Sequence, residues 1–199
     1  MVRDEVKINH YAYSHYAADY AKIYSNLELD HDYVRLFEGF AFLGGGTILD
    51  LGSGNGAKAK LLIAKESNVV CLDNSFEMLK LGGLDRSIQA SIELIPFRDK
   101  TFDGILANCS LNHLPMTVLP DCLNEIKRVL KPKGALLVTM KLGQDTEGYF
   151  KEHDITRFQA FYRRETLDRI LKESFNLHSN IEFSDDSKNL YTILCTAKN

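Results

Sequence analysis

Several things are missing from this 199-residue chain, and each absence removes a class of function. No stretch approaches the roughly 18 apolar residues of a membrane-spanning helix. The longest uncharged stretch, from Gly104 to Pro120, is interrupted by Asn108, Asn112, His113 and Pro115. The amino terminus, MVRDEVKINH, alternates charges and carries no apolar core, so no secretory signal is read from it. The four cysteines (Cys71, Cys109, Cys122, Cys195) form no C-x-x-C pair. Three of them lie in strand-like or helical apolar runs, which favours buried free thiols over a disulfide framework. No His/Cys cluster has zinc-ligand spacing, so no metal is expected. A net charge of −3 offers no general attraction to phosphate backbones or anionic lipid, so neither nucleic acid nor membrane is an expected partner. The expected location is the cytoplasm. Neither repeats nor linkers mark a domain boundary, and the length suits one core that buries roughly 70% of the unfolded surface.

What is present is an alternation of short apolar runs and amphipathic segments. Residues 10–43 look helical, with Tyr13, Tyr16, Tyr20 and Tyr24 at spacings of three and four on one face. A further helix over about Asp32 to Phe42 stops at Gly44-Gly45-Gly46. Strands follow at Thr47–Leu51, Asn68–Leu72, Ser91–Leu94, Phe102–Ala107 and Ala135–Met140, with helices at Ala57–Lys65, Ser75–Leu81 and Leu119–Leu130. A helix at Arg164–Ser174 precedes two more strands, Leu177–Phe183 and Tyr191–Ala197, joined by a turn too short for a crossover helix. Repeated β-α-β units demand right-handed crossovers onto a parallel sheet, and the short final turn demands an antiparallel ending. The expected fold is therefore an α/β, Rossmann-like doubly wound sheet, mostly parallel, with helices on both faces. It is one domain over 1–199, with a helical cap or lid at 1–45 and the core at 46–199.

In such folds ligands sit at the carboxyl ends of the strands, where strand order reverses. The first strand runs into ILDLGSGNGA, which satisfies G-x-G-x-x-A, a dinucleotide signature, yet Asp50 stands two residues before the first glycine. A carboxylate about 4 Å from a phosphate costs roughly 4 kcal/mol at an effective dielectric near 20. The same carboxylate suits a ligand bearing an ammonium group, or serves only to cap the amides of the turn. Asp73 closes the second strand, where an acid accepts hydrogen bonds from a ribose diol. NAD and adenosyl ligands share that requirement, and a helix N-cap is the structural alternative.

Four segments in order, ILDLGSGNG, CLDNSFEML, IPFRDKTFDGILANCSLNHLP and EIKRVLKPKGALLV, resemble the motifs of class I S-adenosylmethionine-dependent methyltransferases. The ending RFQAFYRRETLDRILKESFNL is similar to the carboxy-terminal part of small members. The resemblance implies a seven-stranded methyltransferase fold and S-adenosylmethionine as cofactor. It implies that Asp50, Gly52, Gly54 and Gly56 line the methionine end, that Asp73 holds the ribose, and that Asn74 and Met78 pack near the adenine. Asn108 would offer backbone to the methionine amine, and His113 would face cofactor or acceptor. Where the family often has an Asp that meets the adenine amine, this chain has Ser91, followed by Ile92. Lys133 replaces a glycine of the K-P-G-G turn, leaving Gly134 as its permissive residue.

Methyl transfer from a sulfonium needs mainly alignment, which supplies roughly 7–11 kcal/mol, and a base only where the acceptor must lose a proton. His113 is the candidate base, with a structural ring as the alternative. The tyrosine face is a candidate lid over a sulfonium, or else simple packing, and the resemblance to the Y…A…Y openings of similar methyltransferases implies Tyr11 and Tyr16 as the preferred contacts. The segment from Gly143 to Tyr162 offers His153, Arg157 and Tyr162 to an acceptor pocket, or is a solvated loop that contributes Phe150, Phe158 and Phe161 to packing. The N-P-P-Y motif of certain amino-methylating enzymes is absent, and no proline precedes Cys109, so a small-molecule acceptor is expected. Two rivals remain at this level: an NAD(P)-dependent oxidoreductase, and a non-catalytic adenosyl-binding protein of the same fold.

Overall fold

The computed structural model describes residues 3–24, 39, 45–64, 67–152, 154–184 and 189–198. The helix expected over 32–42, apart from residue 39, lies outside the described residues, and so do His153 and the side chain of Tyr24.

Seven strands form the central sheet: β1 (Thr47–Leu51), β2 (Asn68–Asp73), β3 (Ser87–Gln89), β4 (Phe102–Asn108), β5 (Leu130–Lys141), β8 (Phe175–Ser184) and β9 (Asn189–Ala197). Their spatial order is β3-β2-β1-β4-β5-β9-β8. Strands β1 to β5 pair in parallel, and β9 lies antiparallel to both β5 and β8. The sheet is thus doubly wound, mostly parallel, and mixed at one edge. Ile48, Leu49 and Leu51 of β1 and Ile105, Leu106 and Ala107 of β4 are all buried, as strands covered on both faces require. The helices α3 (Ala57–Ile63), α4 (Phe76–Gly82) and α5 (Leu119–Val129) follow β1, β2 and β4, and α6 (Arg164–Ser174) leads into β8. In α5 the buried set Leu119, Cys122, Leu123, Ile126 and Val129 recurs every three or four residues, the stripe that lays this helix on the sheet.

Four expectations need correction. The third strand is Ser87–Gln89, not Ser91–Leu94, which folds into a turn closed by the Leu94 amide on the Ser91 carbonyl at 3.3 Å. The segment after β5 is not a loop. It forms a separate antiparallel hairpin, β6 (Thr146–Glu152) and β7 (Ile155–Phe161), whose second strand buries Ile155, Arg157, Phe158, Gln159 and Ala160. In the K-P-K-G turn the left-handed residue is Lys133 itself, at φ 62°, a conformation uncommon for a residue with a Cβ. Gly134 meets a different demand there: a Cβ on it would lie 2.8 Å from the Lys131 carbonyl oxygen.

The fourth correction concerns the amino-terminal helix, which is two helices, α1 (Asp4–His15) and α2 (Ala17–Tyr24), broken at Tyr16. The pair crosses the carboxyl edge of the sheet, with α1 against β7, α4 and the 3-10 turn Leu111–His113. Among the described residues, no helix is long and apolar enough to cross a membrane.

Candidate active site

β1 lies between β2 and β4, so the chain leaves its carboxyl end at the reversal of strand order. The glycine loop that follows is tied to β2, because Leu72 O accepts hydrogen bonds from the amides of Gly52 (2.7 Å) and Ser53 (3.0 Å). Gly52 sits at φ 73°, and a Cβ there would lie 2.3 Å from Ser110 Cβ, so the loop can approach β4 only without a side chain. Asp73 joins the two turns. Its carboxylate accepts from the Gly54 amide and from the Ser75 amide, each at 2.8 Å. Ser75 caps α4 by accepting from the Met78 amide at 3.2 Å. The N-cap role is therefore filled by Ser75, and Asp73 keeps lone pairs for a further donor.

Asp50 lies beneath this loop, 2% exposed, and its Oδ2 has no partner among the described residues. Burial, and then the charge of Asp73, pushes the Asp50 carboxyl up to about 7. Burial also raises the Asp73 carboxyl, against the amides of Ser75, Gly54 and Asn74. Ser110 Oγ is likewise buried and unpartnered among the described residues. Together these groups make a cradle with a narrow backbone floor, two acids and unsatisfied buried acceptors. A ribose diol suits Asp73, which lines the cavity, and an ammonium group suits the charge that Asp50 places beneath the loop, so the residues fit the adenosylmethionine that the motifs imply.

A cavity of about 280 Å³ opens from this cradle and runs beneath α1. Its lining includes Gly52, Gly54, Asp73, Asn74, Met78, Ser91, Ile92 and Asn108 on one side and His113 and Arg157 on the other. Asp50 lies below the floor and outside the lining. So does Gly56, where a Cβ would lie 2.6 Å from Leu84 Cδ1; this glycine lets the loop pack against the end of α4. The preferred tyrosines are elsewhere: Tyr11 is 60% exposed and stacks on His15, and Tyr16 meets the same imidazole edge-on. Tyr162 is fully buried in the core, away from the cavity.

The cavity's second half is built around His113 and Arg157, both singled out in the sequence, together with two tyrosines of the amino-terminal face that were not the preferred ones. Tyr13 and Tyr20, not Tyr11 and Tyr16, line it, with α2 beyond the break at Tyr16 packed against α4. His113 Nδ1 lies 2.9 Å from Phe158 O, and since a carbonyl only accepts, Nδ1 carries the proton. His113 Nε2 then accepts from the Tyr13 hydroxyl at 2.6 Å. Burial pushes the imidazole down to about 4, against the Phe158 carbonyl. The ring is neutral and both nitrogens are engaged, which suits it to holding Tyr13. Arg157, 2% exposed, donates through Nη1 to Tyr20 Oη (2.6 Å) and Tyr13 Oη (3.3 Å), and through Nη2 to Glu152. Lys141 donates to Gln159 Oε1 at 2.6 Å.

α1 is fastened over this half by buried polar contacts. Asn9 accepts from the Phe158 amide at 2.8 Å and donates to Phe158 O at 3.2 Å, extending the hairpin's backbone pairing with a side chain. His10 Nδ1 donates to Asn74 O at 3.1 Å, and Ser14 Oγ to Ser75 Oγ at 3.0 Å. The last two contacts land directly beside Asp73.

Comparison with known proteins agrees with this geometry. Residues 49–138 match a family described as a methyltransferase domain. An uncharacterized protein of Methanocaldococcus jannaschii is 37% identical over 117 residues, covering 58% of this chain and 48% of that protein. The ubiquinone/menaquinone biosynthesis C-methyltransferase of Citrobacter koseri is 32% identical over 154 residues, covering 67% of this chain and 61% of that enzyme. The chain thus spans about half to three-fifths of these relatives' length. Among solved structures, the 1,6-didemethyltoxoflavin N1-methyltransferase of Burkholderia thailandensis, with its substrate and S-adenosylhomocysteine bound, superposes with a TM-score of 0.79 at 14% identity. That match covers 100% of this chain and 92% of that one. The chain thus carries a methyltransferase domain over residues 49–138, within a sheet and helix arrangement shared with S-adenosylmethionine-dependent methyltransferases of known structure.

Proposed function

We propose that this chain moves a methyl group from S-adenosylmethionine to a nucleophilic atom of a small organic acceptor, as one catalytic unit in which α1 and α2 form the cap. The observation that carries this is the single cavity that joins the Asp50–Asp73 cradle to the polar pocket under α1. The cofactor, when bound, supplies a methyl group already activated on a sulfonium. The relative named as a C-methyltransferase of ubiquinone/menaquinone biosynthesis, and the structural neighbour that holds 1,6-didemethyltoxoflavin, support a small acceptor by analogy.

The chain's own residues divide the remaining work. Asp73 accepts the ribose hydroxyls, Met78 and Ile92 give the adenine apolar faces, and Asp50 with the glycine loop receives the amino-acid end. The Asn108 backbone, at the end of β4, assists there. His113 and Arg157 fix the Tyr13 and Tyr20 hydroxyls against the acceptor. The closure of α1 keeps water from the reacting atoms, which strengthens each of these polar contacts.

Calorimetric titration with S-adenosylmethionine, S-adenosylhomocysteine and NAD tests the reading. Micromolar binding of both adenosyl ligands with a silent NAD titration is expected. Binding of NAD alone would defeat it. A methyl-release assay across small acceptors then tests transfer itself.

A further inference from the structure

The acceptor half of the cavity has an unequal charge count. Lys141 and Arg157 both line it. Among the described residues they share one carboxylate: Arg157 Nη2 bonds Glu152 Oε2, and Lys141 Nζ lies 3.6 Å from that same oxygen. The other close partners are neutral: Gln159 for Lys141, and the two phenols for Arg157. His113 adds no balancing anion, because its imidazole is neutral and already bonded on both sides. Asp73 belongs to the cradle, where the Gly54 and Ser75 amides hold it. Two cations therefore face one anion in a partly buried site, with Arg157 the most enclosed of the three.

The hydrogen-bond inventory leaves the same gap. Arg157 is almost wholly buried, yet its Nε–H has no partner among the described residues. Guanidinium cannot shed its proton to escape this situation, so a buried unpaired donor persists until a ligand meets it. Burial draws the Lys141 ammonium below its ordinary range, against the attraction of Glu152 and with the repulsion of Arg157. A site with surplus positive charge and an open charged donor is a receptor for an anion.

We propose that the acceptor enters this half through an anionic oxygen, a carboxylate or an ionised phenol or enol, received by Lys141 and the Arg157 Nε–H. Its role as the acceptor's handle rests on the methyltransferase reading above; the anion site itself does not. Tyr13 and Tyr20, whose rings lie 5.8 and 5.2 Å from the Arg157 guanidinium carbon, wall the same space and suit a flat molecule behind the anionic group.

The test uses matched probes that differ in one charge: benzoate against benzamide, and 4-nitrophenolate against 4-nitroanisole. Each is titrated calorimetrically into the full chain, alone and saturated with S-adenosylhomocysteine. At least one anion is expected to bind ten times or more tighter than its neutral partner, and the pair that shows it tells carboxylate from ionised hydroxyl. Two variants then carry opposite predictions. Lys141→Gln should weaken the preferred anion about tenfold, and Glu152→Gln, which removes the competing carboxylate, should strengthen it several-fold. Both keep side-chain size, and circular dichroism checks their folding. A change in packing would move both variants in the same direction. Equal binding of charged and neutral probes, no binding of any probe, or failure of the two variants to diverge would overturn the proposal. Failure of S-adenosylhomocysteine to bind would instead defeat the methyltransferase reading, with the anion preference still scored on the unliganded chain.

Discussion

The two ends of the cavity are built by different means. At the cradle, the decisive contacts are short in sequence: Asp73 reaches the Ser75 amide two residues on and the Gly54 amide 19 residues back. At the acceptor end, Tyr13 meets His113 across 100 residues, Arg157 meets Tyr20 across 137, and Asn9 meets Phe158 across 149. The first end is backbone donors and two acids, fixed by the turn that carries them. The second is a side-chain network assembled from α1, α2, the 3-10 turn, β5 and the β6–β7 hairpin.

If the ends are separable, substitutions should affect them separately. Replacing Asp73 with alanine should weaken S-adenosylhomocysteine roughly a hundredfold by calorimetry, since two charge-assisted hydrogen bonds are worth about 3 kcal/mol together. Tyr20→Phe should change that affinity less than about threefold, within the loss of one exposed or partial hydrogen bond. Equal losses from both would break the comparison.

Asn9→Ala comes next. It strands the buried Phe158 amide, which costs about 1–3 kcal/mol, while the Phe158 carbonyl keeps its bond from His113. The expected result is faster amide hydrogen exchange along α1 with little loss of adenosyl affinity.

A smaller effect belongs to Asp50. With its carboxyl raised to about 7, it holds a proton at lower pH that must leave before an ammonium can bind. Affinity for S-adenosylmethionine should therefore fall as pH drops below 7, by at most about tenfold per unit, and Asp50→Asn should flatten the profile.

The smallest is a stability effect at His113. Its imidazole sits near 4 in the folded chain against an ordinary 6.5, so the unfolded chain takes up the proton first. Stability is complete above 6.5 and declines as pH falls toward 4, by about 1–2 kcal/mol once partial solvent access is allowed for. His113→Gln should remove that part of the slope in urea melts between those values.

The contrast between the ends also explains what the sequence made legible. The parallel core and the antiparallel ending were readable because each depends on a local run, and the same runs, ILDLGSGNG and VVCLDNS, drew attention to the glycine loop and Asp73, which the fold brings together. The third strand was misplaced because three residues, Ser87–Gln89, give alternation too little length to show. The hairpin went unread because its buried strand carries Arg157 and Gln159, which look solvent-facing until Tyr20, Glu152 and Lys141 are seen to satisfy them. The tyrosines show the same limit. A period of three and four puts Tyr13, Tyr16 and Tyr20 on one face only while the helix is continuous, and on either side of the break at Tyr16 two of them line the cavity.

The position of β9 has a consequence for the order of assembly. It comes after β8 in the chain, yet it lies inside β8, between that strand and β5. While the chain is being made, β5 stands as an uncovered edge whose Leu136, Leu137, Val138 and Met140 are destined for burial. β8 cannot protect that edge, because its own pairing is with β9. Closure of the sheet waits for the strand made after it, so the nascent protein exposes a sticky apolar border until that moment. Stalling translation between Ser184 and Asn189 should yield a species that aggregates or recruits a chaperone, and release of the following ten or so residues should cure it.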